Sequence, residues 1–402
     1  MYHYARPSVL DGPAWLRNVL GSGHVGVGVF FVLSGFVLAY RYLDPHGRRS
    51  VPLRAFWVAR IARVYPMYLV GILLMLPQHR ATGTAQPPLL EIGMLQTWVP
   101  NEQFGWNGDD WSVSAEAFFY AVFPFVAVRM ARLGDRALVV AMALTWALAI
   151  AAPVGYVLLA PPAMGLQSSQ DLWLHDMVVA DQMARLVALT PLLRLPEFLL
   201  GVLVATRFVR NPPSAGAWWS VAGGLGMLAG MALGDRIPYL VLNNGLLAGF
   251  AAMLVYGLAR GGGPLAWLLS RRPLVQLGEA SYSLYLLQGP LMVLLIAYAG
   301  LPTDPQLLPT APVWLTVYCT VLLAVALCLF QFMERPWRKR LLRVLGRGAQ
   351  AEVGRVNQKV EPLPGPSERA PMRPPWASMI SLAIARPNPV PWIRRRSSPA
   401  TR

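Results

Sequence analysis

Residues 25–42 read VGVGVFFVLSGFVLAYRY, an almost uninterrupted apolar run as long as a membrane-spanning helix. About 20 predominantly apolar residues are enough for a helix to cross the hydrocarbon core of a bilayer. Working outward from this run, we find eight further apolar segments, at 64–77, 113–128, 137–160, 192–207, 217–234, 239–258, 281–300 and 312–333. We therefore predict an all-α, polytopic transmembrane helix bundle with about nine spans.

The composition agrees with a membrane protein. Hydrophobic residues make up 55% of the 402 and charged residues only 13%, whereas a soluble globular domain has about 25% charged residues. This excludes a disordered chain and most soluble enzymes. The two cysteines, Cys319 and Cys328, have no spacing typical of a disulfide framework, and the five histidines have no spacing typical of a metal site. We predict no metal and no bound cofactor.

The net charge of +16 is distributed as a membrane topology would require, and we predict no nucleic-acid partner. Arginines concentrate in every second loop between the apolar segments, while the intervening loops carry aspartate and glutamate. The positive-inside rule places the basic loops and the C-terminus in the cytoplasm. We predict a multi-pass protein surrounded by the lipid of the cell membrane, the bacterial inner or plasma membrane. With nine spans this register leaves the N-terminus outside, so we expect one more helix before Met1.

The chain divides into two parts. Residues 1–346 hold all the predicted spans and form the membrane domain. Residues 347–402 are rich in Pro, Arg and Ser, with ten basic and three acidic side chains. This composition predicts a disordered, basic cytoplasmic tail.

Ionisable residues within apolar segments are costly and therefore indicate function. Glu116 lies one turn into the third segment, after Trp111, Ser112 and Ser114. It either complements the helix dipole or lines a site. Arg60 and Arg63 are spaced to share one helix face, and such a pair suits phosphate as well as ordinary positive-inside anchoring. Ser34 lies mid-segment beside Gly35, where it permits close helix packing or lines a tunnel.

Seven motifs occur in order along residues 1–343: YHY, FFVLSGFVLAY, FWVARIARVYPMYLVG, WSVSAEAFFYAVFP, LPEFLLGVLVA, LGEASYSLYLLQGPL and MERPWRKRL. Together they resemble the acyltransferase 3 family of membrane O-acyltransferases. The resemblance implies a bundle of about ten helices. It also implies transfer of an acyl group from cytoplasmic acyl-CoA, as a co-substrate, to a hydroxyl of a sugar or glycosylated acceptor. Such acceptors include cell-envelope polysaccharides and macrolide-type natural products.

The resemblance also implies roles for individual residues. His3 corresponds to the family's essential histidine, and Glu116 to its acidic residue. Arg60 and Arg63 correspond to the pair associated with acyl-CoA. We expect His3 and Glu116 to be catalytic, with His3 acting on the acceptor hydroxyl as a base or carrying the acyl group itself. We further expect four substrate-lining residues, Ser34, Trp111, Ser114 and Tyr120.

Two other interpretations stay open. The family has about a dozen residues before its histidine, including an arginine, and this chain has two. An N-terminally truncated, inactive member of the family is therefore one alternative. A multi-span transporter of carbohydrate-like compounds is the other, although the sequence has no inverted repeat of the kind many transporters show.

Overall fold

The computed structural model describes residues 13–44, 47–82, 88–159, 181–214, 216–261, 263–299 and 311–345. Throughout these ranges the regular elements are helices, which confirms the all-α prediction. The α-helices are α1 (Ala14–Gly21), α2 (Gly26–Tyr42), α3 (Leu53–Thr82), α4 (Pro88–Ile92), α5 (Trp111–Met130), α6 (Asp135–Leu159), α7 (Gln182–Leu189), α8 (Pro191–Arg210), α9 (Gly216–Ala232), α10 (Tyr239–Val241), α11 (Ala248–Arg260), α12 (Gly263–Leu269), α13 (Arg272–Glu279), α14 (Ser281–Ala299), α15 (Ala311–Leu329) and α16 (Arg335–Leu345). His3 and the predicted tail at 347–402 lie outside the described residues.

Eight helical segments in this part of the chain are long and apolar enough to cross a membrane, one fewer than predicted. They are Gly23–Tyr42, Leu53–Arg80, Trp111–Met130, Asp135–Leu159, Gln182–Arg210, Tyr239–Arg260, Ser281–Tyr298 and Val313–Leu341. The predicted span without a counterpart among these eight is 217–234, which corresponds to α9; this helix has 17 residues and falls short of the about 20 that a perpendicular span needs. The chain is a multi-pass membrane protein.

Helix α3 is much longer than the sequence indicates. The apolar segment at 64–77 predicts a short span, with Arg60 and Arg63 in the preceding loop, but the helix begins at Leu53 and has 30 residues. A hydropathy scale excludes these arginines from a span, because it assigns every guanidinium the cost of exposure to lipid. Arg60 is instead only 5% exposed, enclosed by protein. Arg60 is therefore part of the interior of the bundle, while Arg63, one turn further along α3, is half-buried.

Helices α2 and α8 form the closest contact in the bundle. A Cβ atom added to Gly35 would overlap the carbonyl oxygen of Phe198, and one added to Gly201 would overlap that of Val32. The two backbones are therefore in direct contact, as small residues allow in membrane helices. This crossing fixes the face of α2 on which Ser34 lies.

The span Tyr239–Arg260 is interrupted, although the sequence predicts one continuous helix. Asn244 and Gly245 leave the helical conformation, and Gly245 has a φ of +79°. The freed backbone groups find partners on neighbouring helices: the Gly245 N–H donates to Glu197 over 2.7 Å, and its carbonyl accepts from Trp146 over 2.9 Å. Arg194 donates to the Asn243 carbonyl over 2.9 Å. A break inside a membrane protein requires such internal partners.

A polar network packs the connection between α4 and α5 onto α3 and α14. Asn107 donates to the Leu286 carbonyl over 3.0 Å and to Asp110 over 2.9 Å, and Tyr68 donates to Glu91. Asp110 is fully buried. Burial raises the pKa of the Asp110 carboxyl well above its usual range, and the charges of Glu91 and Asp109 raise it further.

Candidate functional site

A cavity with a volume of about 410 Å³ lies between α2, α3, α5, α11 and α14 and is partly open to the surface. On α2 its wall extends from Val27 to Leu38, eleven residues apart. At 1.5 Å of rise per residue the cavity follows the axis of α2 for about 16 Å. We call its two extremes the Ser112 end and the Arg338 end, after residues that line them. Most of the wall is apolar, with charged groups at the centre and at the Arg338 end.

Glu116 faces the middle of the cavity and is held by two hydroxyl groups. Ser34 of α2 donates to Glu116 Oε1 over 3.0 Å. Tyr120, one turn further along α5, donates a short hydrogen bond to the same oxygen. Since Ser34, Glu116 and Tyr120 all line the cavity, the structure brings three of the predicted site residues together. The carboxylate is half-buried and its orientation is fixed.

Arg60 is buried and lies nearer than Glu116 to the Arg338 end of the cavity. Its guanidinium donates to the Tyr42 hydroxyl over 3.1 Å. It also lies over the rings of Tyr42 and Tyr120, at 5.5 and 5.7 Å from the ring centres. Over the described ranges, no carboxylate comes within 4.0 Å of this guanidinium. Glu116 interacts with Arg60 only at longer range, and a buried cation without a direct ion-pair partner is unfavourable, so this end of the cavity suits an anionic ligand.

Three further charged groups line the Arg338 end: Arg63, Glu334 and Arg338. Glu334 is buried and accepts a 2.5 Å hydrogen bond from Ser283 at the start of α14. Glu279, also in the wall, forms a 2.9 Å ion pair with Arg335. This end therefore collects three arginines in the wall, with Arg335 behind them.

Two predicted lining residues lie elsewhere. Trp111 is buried against Phe31 and the Arg194 guanidinium. Ser114 donates to the Met94 carbonyl over 2.6 Å and contacts the Thr97 hydroxyl, and so it anchors the connection before α5. Neither lines the cavity. Both point away from Glu116 because successive residues of a helix occupy different faces.

Sequence reasoning did not select Tyr42, Glu334 and Arg338 as site residues. Tyr42 closes an apolar segment, where an interfacial aromatic is unremarkable. The other two belong to MERPWRKRL, where the Glu and Arg are four residues apart and so share one helix face. That spacing was the available signal, but the density of arginines made positive-inside anchoring the simpler interpretation.

The described part of the chain has no group of three His, Cys, Asp or Glu side chains that could hold a metal ion. The fold is that of a multi-pass membrane protein. Its cavity has a fixed carboxylate at the centre and guanidinium groups at one end. Residues 1–331 match the family described as "Acyltransferase domain", and the chain belongs to this family. The resemblance to the acyltransferase 3 family is thereby confirmed.

The chain is similar to two curated proteins over short stretches. It is 34% identical over 122 residues to "Acyltransferase MdmB" of Streptomyces mycarofaciens, covering 27% of this chain and 30% of that protein. It is 41% identical over 54 residues to "Protein 2 in picA locus" of Rhizobium radiobacter, covering 13% of this chain and 28% of that protein. The chain thus aligns with less than a third of each relative. No solved structure matches it.

Proposed function

We propose that this chain is a membrane acyltransferase that moves an acyl group from cytoplasmic acyl-CoA to a hydroxyl of a sugar or glycosylated acceptor. The observation that carries the proposal is the cavity: one space joins an arginine-rich end to a fixed glutamate within the membrane bundle. The family match and the similarity to an acyltransferase support the same reaction class.

The arginine-rich end is the proposed donor site. CoA carries phosphate groups, which a guanidinium binds through a planar fork of N–H donors. Arg60 offers a buried cation with no carboxylate within 4.0 Å in the described structure. A phosphate group would supply a direct ion-pair partner for this guanidinium.

The position of this end agrees with the side on which CoA is available. Arg60 and Arg63 follow the basic stretch at 41–54, which the positive-inside rule assigns to the cytoplasm. CoA cannot cross lipid, so its phosphates have to bind near that surface. The thiol arm and acyl group would then extend along the apolar wall toward Glu116.

Glu116 is the proposed catalytic carboxylate. Ser34 and Tyr120 both donate to Oε1, which leaves Oε2 to orient the acceptor or the His3 imidazole. In the transfer, a C–O bond forms at the thioester carbon and the C–S bond breaks. The proton of the acceptor hydroxyl is transferred to the CoA sulfur, so that CoA leaves as a thiol. His3 acts either as the base for this proton or as the first acceptor of the acyl group.

The acceptor that we propose is a cell-envelope polysaccharide or a macrolide-type natural product. A cavity of about 410 Å³ lies within the usual range of small-molecule sites, about 300–1,000 Å³. It fits the acyl arm and the reacting portion of an acceptor better than a whole polysaccharide, which would remain outside the bundle.

The test uses the full chain reconstituted in liposomes with acetyl-CoA and a panel of glycosylated acceptors. Release of free CoA thiol should depend on the acceptor, and the acetylated product should be detectable by mass spectrometry. Glu116→Gln and Arg60→Gln should abolish or strongly reduce release. Arg136→Gln is the matched control, because Arg136 is exposed at the start of α6. If the folded protein releases no CoA with any acceptor, or if Glu116→Gln retains full activity, the proposal is wrong.

A further inference from the structure

The C-terminal helix contributes to the cavity, although its sequence is typical of a basic anchoring segment. A π-helical turn, Phe330–Glu334, connects α15 to α16. Phe330, Glu334 and Arg338, spaced four residues apart, all line the same cavity. π turns inside helices occur frequently at functional sites. Arg338 is thereby placed in the wall, while Arg340 on the same helix is exposed.

The junction between the π turn and α16 is fixed in position by two polar contacts. Glu334 accepts a 2.5 Å hydrogen bond from Ser283 of α14. Arg335 forms a 2.9 Å ion pair with Glu279 of α13 and lies over the Phe330 ring, 4.8 Å from its centre. The Arg338 side chain therefore extends from a docked helix, which lowers the entropy cost of ordering it on a ligand.

Charge accumulates where Arg338 enters the cavity. Its guanidinium interacts electrostatically with those of Arg60 and Arg63, and these interactions are repulsive. Glu334 offsets part of the positive charge, whereas Glu279 is already paired with Arg335. Like charges in a space of low dielectric repel strongly. Phosphate groups bound between these guanidiniums would offset the repulsion among them.

We propose that Arg338 binds the phosphates of the acyl donor together with Arg60 and Arg63, so that α16 is part of the donor site. This inference rests on the proposed function. The three guanidiniums approach the same space from α3 and α16 and recognise a donor with several phosphate groups. A thioester whose carrier lacks those phosphates would gain nothing from Arg338.

The experiment measures binding of CoA and of pantetheine to the full chain in nanodiscs. Pantetheine has the same thiol arm and no phosphate. Arg338→Gln should raise the Kd for CoA at least about tenfold, because it removes hydrogen bonds between charged groups. Its Kd for pantetheine should stay unchanged. Arg338→Lys should recover part of the CoA affinity, since lysine retains the positive charge but lacks the planar set of N–H donors of a guanidinium.

Arg340→Gln, the exposed arginine of the same helix, is the control and should bind CoA as the wild type does. An unchanged CoA affinity in Arg338→Gln overturns the inference. An equal loss of CoA and pantetheine binding also overturns it, because Arg338 then acts through the fold. If the folded wild type binds no CoA, the donor assignment of the proposed function fails. If Arg60→Gln weakens CoA binding and Arg338→Gln does not, only this inference fails.

Discussion

Replacing Glu197 with glutamine tests how the bundle keeps a charge buried beside the broken span. Arg194 is fully buried and its Nη2 lies 3.2 Å from Glu197 Oε2, without the angle of a hydrogen bond. The rings of Phe31 and Trp111 face its guanidinium at 5.3 and 5.7 Å. Glutamine keeps the oxygen that accepts from the Gly245 N–H. Its amide nitrogen replaces the oxygen that faces Arg194, so the substitution removes the negative charge and sets a donor against the guanidinium.

The expected cost follows from this geometry. Removing one partner of a buried ion pair typically costs 3–5 kcal/mol, because the remaining charge is uncompensated. The pair lacks hydrogen-bond geometry, so we take the lower value, about 3 kcal/mol. Over roughly 300 residues, with an unfolding entropy of about 2.1 cal/mol/K per residue, this lowers Tm by about 5 °C. The site should be affected as well, since Phe31 also lines the cavity.

The assay is thermal unfolding of the full chain in detergent, followed by intrinsic fluorescence, for Glu197→Gln, Arg194→Met and the double variant. Removal of both charges is much less harmful than removal of one, so the double variant should be more stable than Glu197→Gln alone. The reasoning fails if Glu197→Gln unfolds within about 1 °C of the wild type. It also fails if the two single effects simply add.

Three other predictions follow from single contacts. Gly201→Ala should destabilise the chain by about 1–3 kcal/mol through overpacking of α2 against α8, whereas Gly224→Ala, with open space around it, should not; equal Tm values would refute this. The raised pKa of Asp110 means that stability falls as pH rises through that pKa. Asp110→Asn should therefore gain stability over the wild type at pH 8 and lose that advantage at pH 4, and a pH-independent difference in Tm would count against it. Tyr120→Phe keeps the aromatic ring and removes one donor to Glu116, so kcat should fall about tenfold while KM for acyl-CoA stays the same; the opposite split in CoA-release kinetics would contradict the assignment.

The architecture could be predicted because its cause is local. Apolar runs of spanning length and arginines in alternate loops follow from the cost of placing polar groups in lipid. The same cost singled out Arg60 and Glu116, which line the cavity. For the pair Ser34 and Gly35, the sequence allowed either close helix packing or lining of a tunnel. In the structure Gly35 packs against α8, and Ser34 faces Glu116 in the cavity.

The remaining features depend on contacts between distant segments. The hydropathy pattern did not predict that α3 includes Arg60, since the burial of that side chain depends on its contact with Tyr42 of α2. It could not break the span at Gly245 either, because the partners of the freed backbone, Glu197 and Trp146, come from two other helices. Arg338 lines the cavity on a helix that is held against α13 and α14 by Arg335 and Glu334. Spacing along one segment carries no information about such partners.

A comparison of the carboxylates within the bundle supports the role proposed for Glu116. Glu197 has the Gly245 N–H on one oxygen and an arginine beside the other. Glu334 is 3% exposed and accepts from Ser283. Glu116 instead receives both of its hydrogen bonds on Oε1 and is only half-buried, at the middle of the cavity wall. A carboxylate fixed through one oxygen while the cavity reaches the other is pre-organised for a ligand. That asymmetry separates Glu116 from Glu197. Glu334 also accepts on one oxygen and lines the cavity, and it differs from Glu116 in being fully buried at the Arg338 end.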